Sequence, residues 1–103
     1  WRVFVRYGEI LDVRPYGGDW RYTFDPTTIK QAIKDFEGAP AGYGIDFGIT
    51  ADGRTLLVEV NDGYALGSYG LQHNLYAQLL SARWSELMGV ADELACIRNH
   101  PGL

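Results

Sequence analysis

The segment Gly42–Asp62 constrains the fold more than any other part of this sequence. Over residues 43–49, apolar side chains alternate with glycine and aspartate, which is the period-two pattern of a half-buried β-strand. Ala51-Asp52-Gly53 then marks a tight turn, because the glycine can adopt a positive φ. A second alternating segment covers residues 55–61. The sequence therefore predicts a β-hairpin.

Three polar residues should meet on one face of this hairpin. Asp46 lies on its first strand, and Glu59 and Asn61 lie on its second. Carboxylates among apolar residues are costly unless they are paired or bound to a cation, and this set of oxygen ligands suits Mg²⁺. The pattern therefore indicates a magnesium site. A solvated sheet face, or ion pairs with Arg54, would explain the same residues, and the spacing leaves both alternatives open.

The rest of the chain predicts a small α+β domain that covers residues 1–103. Alternation over residues 1–13 indicates a first hairpin, and apolar residues at helical spacing indicate helices after Asp25, over residues 72–88 and over residues 90–97. We expect an antiparallel sheet of about four strands with two or three helices packed on one face. The polar residues of the hairpin should then lie on the opposite face, in a cleft.

The second of these helices should pack against the sheet through a broad apolar face, because core packing is the simplest use of such a face. The residues of that face are Leu75, Leu79, Leu80, Ala82, Trp84 and Leu87.

Two loops carry groups that could hold an anion. The loop after the first hairpin contains Arg14 and Arg21, and guanidinium groups match phosphate and carboxylate. The segment Gly63–Gly70 is rich in glycine and precedes a helix, where backbone N–H groups can hold an anion. Simpler interpretations remain open: the first loop is a solvated connection, and Ser68 in the second merely caps the helix.

Composition disfavours several classes of protein. Apolar residues at 47% and charged residues at 21% are typical of a globular domain, and a net charge of −4 disfavours a nucleic-acid partner. The lone Cys96 leaves no internal disulfide, which fits a reducing cytoplasm. No apolar run reaches the roughly 20 residues that would cross a bilayer. His73 and His100 lack the spacing of a ligand pair and are interpreted as surface residues.

Taken in order, the motifs resemble the C-terminal half of an ATP-grasp domain, the fold of carboxylate–amine ligases. Arg2-Val3-Phe4-Val5 is similar to a family strand of the type R-x-F-V, and Gly18-Asp19-Trp20-Arg21 is similar to a G-D-aromatic-R loop. Asp46, followed thirteen residues later by Glu59-Val60-Asn61, resembles the family's magnesium signature of an aspartate and E-x-N on the next strand. The run LLVEVNDGYALGSYGL most resembles a little-characterised bacterial and phage branch of that superfamily.

The resemblance implies an activity and its cofactors. ATP and two Mg²⁺ ions would bind between two lobes, a carboxylate substrate would be phosphorylated to an acyl phosphate, and an amine-type nucleophile would displace the phosphate. Asp46 would hold one ion, Glu59 would bridge the two, and Asn61 would hold the second.

The resemblance also implies roles for the arginines and for the glycine-rich loop. Three arginines would act as catalytic residues that face the transferred phosphate or the acyl substrate, and they are Arg2, Arg14 and Arg21. The loop would line the acceptor site, where the substrate-binding residues would be Asp62, Gly67 and Ser68.

The chain departs from the family pattern at two points. Many members have an arginine two residues before the first metal aspartate, but this chain has Gly44, so Arg14 or Arg21 would have to replace it. The family also holds ATP with lysines from an earlier lobe, and neither Lys30 nor Lys34 is placed for that task. We therefore expect half of a site, whose N-terminal lobe is absent and which that lobe or a homo-oligomer would complete.

Two other functions compete with a ligase, and whether the chain is itself an enzyme stays open. A lobe that kept the fold could serve binding alone, with Trp1, Trp20 and Tyr22 in a partner surface. A metal-dependent nuclease would place a lysine where Asn61 stands, and the acidic charge disfavours DNA.

Overall fold

The elements of the chain follow the predicted order. The computed structural model describes residues 1–15, 17 and 21–97. Its elements are β1 (Arg2–Arg6), β2 (Glu9–Arg14), α1 (Pro26–Asp35), β3 (Gly42–Ile49), β4 (Thr55–Asp62), a short 3-10 turn (Gly63–Ala65) and α2 (His73–Met88). The α+β class, the two hairpins and the two longer helices are thus confirmed.

The predicted third helix over residues 90–97 is wrong. Residues 93–96 form turns instead. Their backbone hydrogen bonds, from Ala95 N to the Asp92 carbonyl at 3.1 Å and from Ile97 N to the Leu94 carbonyl at 3.0 Å, span three residues rather than the four of an α-helix. The Gly18-Asp19-Trp20 part of the first loop and His100 lie outside the described residues.

The four strands form one antiparallel sheet in the order β2-β1-β3-β4. The register places Arg2 opposite Asp46, and Asp46 opposite Glu59. Gly44 lies opposite Asn61. Because directly opposed residues of paired strands point to the same face, Arg2, Asp46, Glu59 and Asn61 share one face of the sheet.

The two faces of the sheet carry separate cores, so the prediction that the helices share one face needs correction. On one face, α1 packs with strand residues in a cluster of Val3, Val5, Ile29, Tyr43, Ile45 and Phe47. On the other face, α2 packs in a cluster of Phe4, Leu66, Leu71 and Leu79. The physical reason lies in β1, where consecutive residues Val3, Phe4 and Val5 are all 0% exposed, so that both faces require a cover.

The apolar residues of α2 do not all face the sheet. Leu79 and Ala82 are buried as predicted, but Trp84 is 60% exposed and Leu87 is 52% exposed. Residues five and eight positions after Leu79 are rotated by roughly 140° and 80° around the helix axis, which turns both away from the sheet. In the described part of the chain, no helix has the length and apolar character that crossing a bilayer requires.

Candidate functional site

The three polar residues predicted to meet on the β3–β4 hairpin, named the acidic cluster here, do come together. Asn61 Nδ2 donates hydrogen bonds to Asp46 Oδ2 at 3.1 Å and to Glu59 Oε1 at 3.3 Å. Asp46 is 1% exposed, Asn61 is half-buried and Glu59 is exposed. A single amide nitrogen therefore lies within hydrogen-bond distance of both carboxylates, one buried and one open to solvent. The predicted juxtaposition is confirmed, whereas the metal-binding role stays a prediction.

The buried carboxylate of the acidic cluster has a cationic partner in the neighbouring strand. Arg2 donates from Nε to Asp46 Oδ1 at 2.8 Å and from Nη2 to Asp46 Oδ2 at 2.9 Å. Two parallel bonds of this kind form the strong, geometrically specific arginine–carboxylate pair. Arg54, the ion-pair partner considered from sequence, instead contacts Asp52 in the hairpin turn at 3.1 Å.

The acidic cluster does not lie on a face free of helices, as the sequence suggested. It shares its face with Phe4 and thus with α2, which covers the opposite end of the same strands. The segment that enters α2, residues 66–71, borders the cluster, because its Gly67 carbonyl contacts Arg2. This segment is named the entry loop.

The entry loop is fixed at both ends and contacts Arg2 in between. Leu66 and Leu71 belong to the core on the α2 side, and the Leu66 carbonyl accepts a hydrogen bond from Tyr76 Oη at 2.8 Å. In the middle, the Gly67 carbonyl accepts from Arg2 Nη1 at 3.3 Å. The Arg2 guanidinium also lies 4.8 Å from the centre of the Tyr69 ring, a cation–π distance.

The residue that departs from the family pattern has a steric explanation. A Cβ at Gly44 would lie 2.5 Å from Leu66 Cδ1, so the entry loop occupies the space that an arginine side chain would need. Arg2 reaches Asp46 from β1 instead. Arg14, one expected substitute, pairs with Asp12 at 2.8 Å, and Arg21, the other, is exposed.

The predicted acceptor-site residues have different surroundings. Arg83 of α2 donates to the Asp62 carboxylate at 2.8 and 2.6 Å. These bonds hold the pKa of the Asp62 carboxyl below its ordinary value, despite partial burial. The Ser68 carbonyl accepts from Leu71 N at 2.8 Å. Ser68 does not cap the helix, because the N-cap of α2 is Gln72 and carries no side-chain cap.

A second group of polar contacts holds residues 92–97, named the C-terminal segment, against the far end of β1. Arg6 donates to the carbonyls of Leu94 at 2.6 Å and Ile97 at 2.7 Å. Asp92 accepts from Ser81 Oγ at 2.6 Å and from Tyr7 Oη at 2.5 Å. Burial would raise the pKa of Asp92, but these hydrogen bonds outweigh it and lower that pKa.

Sequence reasoning missed two residues that contact the site or its frame, Tyr69 and Arg83. Tyr69 has a φ of 44°, which is unusual for a residue with a side chain, and only the nearby Gly67 and Gly70 hint at such a conformation. Arg83 is separated from Asp62 by 21 residues, and no local pattern links them. Groups of three or more His, Cys, Asp or Glu side chains able to hold a metal do not occur among the described residues; the acidic cluster has two carboxylates and an amide.

Comparison with known proteins identifies a family to which most of the chain is similar. The family described as ATP-grasp domain, R2K clade family 2, matches residues 1–79, which contain the whole sheet, the entry loop and the start of α2. No curated protein and no solved structure matches the chain.

Proposed function

Because the chain belongs to the ATP-grasp domains of R2K clade family 2, we propose that it is the Mg²⁺–ATP-binding part of a carboxylate–amine ligase. The ligase would activate a carboxylate as an acyl phosphate for attack by an amine-type nucleophile. The observation that supports this most is the single Asn61 amide between the carboxylates of Asp46 and Glu59.

The acidic cluster fits a hard divalent cation. It offers oxygen donors from two carboxylates and one amide, and the two carboxylates approach closely enough to share one hydrogen-bond donor. We propose that Asp46 holds one Mg²⁺, that Glu59 bridges two, and that Asn61 turns its amide oxygen toward the second. Bound Mg²⁺ supplies charge neutralisation for the phosphate oxygens of ATP during phosphoryl transfer.

The protein's own groups would orient this site. Arg2 donates to both oxygens of Asp46 and so holds the carboxylate in place as long as no cation is bound there. From β1 it would also face the transferred phosphate or the acyl substrate, with Arg14 and Arg21 as further candidates for the same role.

The entry loop would line the site of the acceptor. Gly67 and Ser68 lie in this loop, and the Gly67 carbonyl accepts a hydrogen bond from Arg2, which supports a role in binding the amine-type nucleophile. Asp62 would shape the edge of that site, because its pairing with Arg83 joins the end of β4 to α2.

The groups that hold the remaining phosphates would come from outside these residues. Lys30 and Lys34 both lie on α1, which packs on the face opposite the acidic cluster. We propose that the chain forms the C-terminal half of the ATP-grasp domain and that an N-terminal lobe, or a second copy, supplies the missing cations.

A binding module without catalysis is the second candidate, and one observation favours it. β4 is an edge strand, and four of its large apolar residues are 41–59% exposed, namely Leu56, Leu57, Val58 and Val60. An exposed apolar surface of this kind is common at sites of protein association. Mg²⁺-dependent nucleotide binding separates the two candidates.

The test is a set of thermal melts with Mg²⁺–ATP, with ATP and a chelator, and with Mg²⁺ alone. We expect Mg²⁺–ATP to raise the melting temperature of the wild type and to have a much smaller effect on Glu59→Gln, which removes one ligand charge at constant size. Glu37→Gln is the matched control, because Glu37 is exposed and follows α1 on the other side of the sheet. Equal shifts in the wild type and Glu59→Gln would mean that Glu59 touches no metal, and the binding module would then be preferred.

A further inference from the structure

We propose that Arg2 is a positioning residue that couples cation binding at the acidic cluster to the entry loop. This inference rests on the proposed function, since it takes the acidic cluster as the cation site. It adds an order of events: the entry loop would be released only when a cation has reached Asp46.

The Arg2 guanidinium contacts both the acidic cluster and the entry loop. Its Nε and Nη2 bind the Asp46 carboxylate at 2.8 and 2.9 Å, while Nη1 binds the Gly67 carbonyl at 3.3 Å. Because the guanidinium is rigid and planar, it cannot turn away from Asp46 without moving its contacts with Gly67 and with the Tyr69 ring.

The entry loop is folded closely around this guanidinium. A Cβ at Gly67 would lie 3.2 Å from Tyr69 Cε2, which is a tight contact, and 3.7 Å from Arg2 Nη1, which is an ordinary van der Waals distance. The Gly67 backbone therefore packs closely against the Tyr69 ring and touches Arg2. Tyr69 holds its ring there with a φ of 44°. A non-glycine residue in this region stores conformational strain that its surroundings must hold in place. Loss of the Arg2 contact would therefore favour a different loop conformation.

A cation at the acidic cluster competes with Arg2 for the same carboxylate. Asp46 already accepts two bonds from Arg2 and one from Asn61, which uses three of its roughly four acceptor positions. A divalent cation there would also repel the adjacent guanidinium. Coupling between two binding events is reciprocal, so a cation should loosen the entry loop, and loss of Arg2 should strengthen cation binding.

Hydrogen exchange of the full chain tests the first half of the proposal. We expect amide exchange at residues 67–71 to become faster when Mg²⁺ or Mn²⁺ is added. Residues 94–97 serve as an internal control, since Arg6 holds them by backbone carbonyls and no carboxylate of the acidic cluster is involved. Exchange at residues 67–71 that is unchanged or slower with bound cation would overturn the proposal.

Mn²⁺ binding, measured by the loss of its free EPR signal, tests the second half. We expect Arg2→Met to bind Mn²⁺ roughly tenfold more tightly than the wild type, within the usual range of coupling between sites, and Arg6→Met to bind it as the wild type does. A merely structural role would give the opposite sign, because a misplaced Asp46 binds cations less well. Weaker or equal Mn²⁺ binding by Arg2→Met therefore overturns the coupling.

The two failures can be told apart. If the wild type binds no Mn²⁺ with or without ATP, the proposed function fails and the coupling fails with it. If the wild type binds Mn²⁺ but residues 67–71 do not respond, only the coupling fails. The exchange measurement on the wild type needs no variant, so it decides even if Arg2→Met does not fold.

Discussion

Two arginines of β1 differ in use although they are alike in position. Arg2 and Arg6 lie on the same face of the same strand and are 7% and 6% exposed. The Arg2 guanidinium lies 4.8 Å from the centre of the Tyr69 ring, and the Arg6 guanidinium lies 5.3 Å from the centre of the Tyr7 ring. Arg2 binds a carboxylate with two hydrogen bonds. Arg6 binds two backbone carbonyls of the C-terminal segment, and its Nε is buried and has no hydrogen-bond partner among the described residues.

The difference originates in β3. The residue opposite Arg2 is Asp46, whereas the residue opposite Arg6 is Gly42. A Cβ at Gly42 would lie 2.6 Å from the Leu79 carbonyl oxygen, so the backbone of α2 occupies the space where a carboxylate would stand. A carboxylate can exchange its arginine for another cation, but a backbone carbonyl is held in place by the chain. The pairing partner, rather than burial or residue type, therefore separates a candidate functional arginine from a structural one.

The largest effect should follow from removing the partner of Arg2. Asp46→Ala leaves a buried guanidinium without its carboxylate, and breaking a buried ion pair in this way costs about 3–5 kcal/mol. Arg2→Met combined with Asp46→Ala should be clearly more stable than the sum of the two single changes predicts. Urea denaturation of both single variants and the double variant measures this, and strict additivity would show that the pair is not coupled.

Adding a methyl group at Gly42 and at Gly44, two of the three glycines of β3, compares the neighbours of these two positions. Gly42→Ala should cost about 2–3 kcal/mol, because the contact is a backbone oxygen of α2, which cannot move alone. Gly44→Ala should cost about 1 kcal/mol, because it meets the mobile end of the Leu66 side chain. Denaturant midpoints test the order, and a larger loss for Gly44→Ala would contradict the proposed cause of the Arg2–Arg6 difference.

Arg6→Met should act on the C-terminal segment alone. It removes two charge-assisted hydrogen bonds, but the freed carbonyls can be hydrated when the segment moves away, so we expect a loss of about 2 kcal/mol. Amides of residues 94–97 should exchange faster, while those of the entry loop stay as in the wild type. Faster exchange in the entry loop would mean that the two ends of β1 are not independent.

The smallest effect on stability is expected from breaking the pair of Arg83 and Asp62, and this effect depends on pH. Because hydrogen bonds from Arg83 lower the pKa of Asp62, the pair contributes stability above the ordinary aspartate pKa of about 4 and loses it as pH falls through the folded-state pKa. The wild type should therefore be more stable than Asp62→Asn near neutral pH, and the difference should shrink below pH ~4. Thermal melts of both proteins between pH ~2.5 and ~7 test this; a constant difference would show that the Asp62 charge is not involved.

The sequence predicts the acidic cluster because its determinants are local. The alternation in β3 and β4 and the short turn between them bring the two strands together, but a register shift between Asp46 and Phe47 is also needed to place Asp46 opposite Glu59 rather than Val58. The sequence pattern gives no sign of this shift. The pairing of Arg2 with Asp46 was not predictable in this way, since it requires β1 to pair with β3 rather than only with β2. That choice depends on the packing of the whole sheet.

The position of the helices could have been predicted better. Val3, Phe4 and Val5 are three consecutive apolar residues, and such a run is typical of a strand that is covered on both faces. The exposure of Trp84 and Leu87 was harder to anticipate, because an apolar side chain on a helix carries no mark of whether its neighbours fill that side.

The position of β1 between β2 and β3 also has a consequence for how the chain folds. Asp46 and Asn61 are 15 residues apart, whereas Arg2 and Asp46 are 44 residues apart. Since closing a longer loop costs more entropy and slows folding, we expect the β3–β4 hairpin to gain protection before β1 in pulse-labelled refolding; earlier protection of β1 would contradict this order. The newly formed hairpin would then hold two carboxylates side by side before Arg2 arrives, and Mg²⁺ in the refolding buffer should prolong that stage, because the cation competes with Arg2 for Asp46.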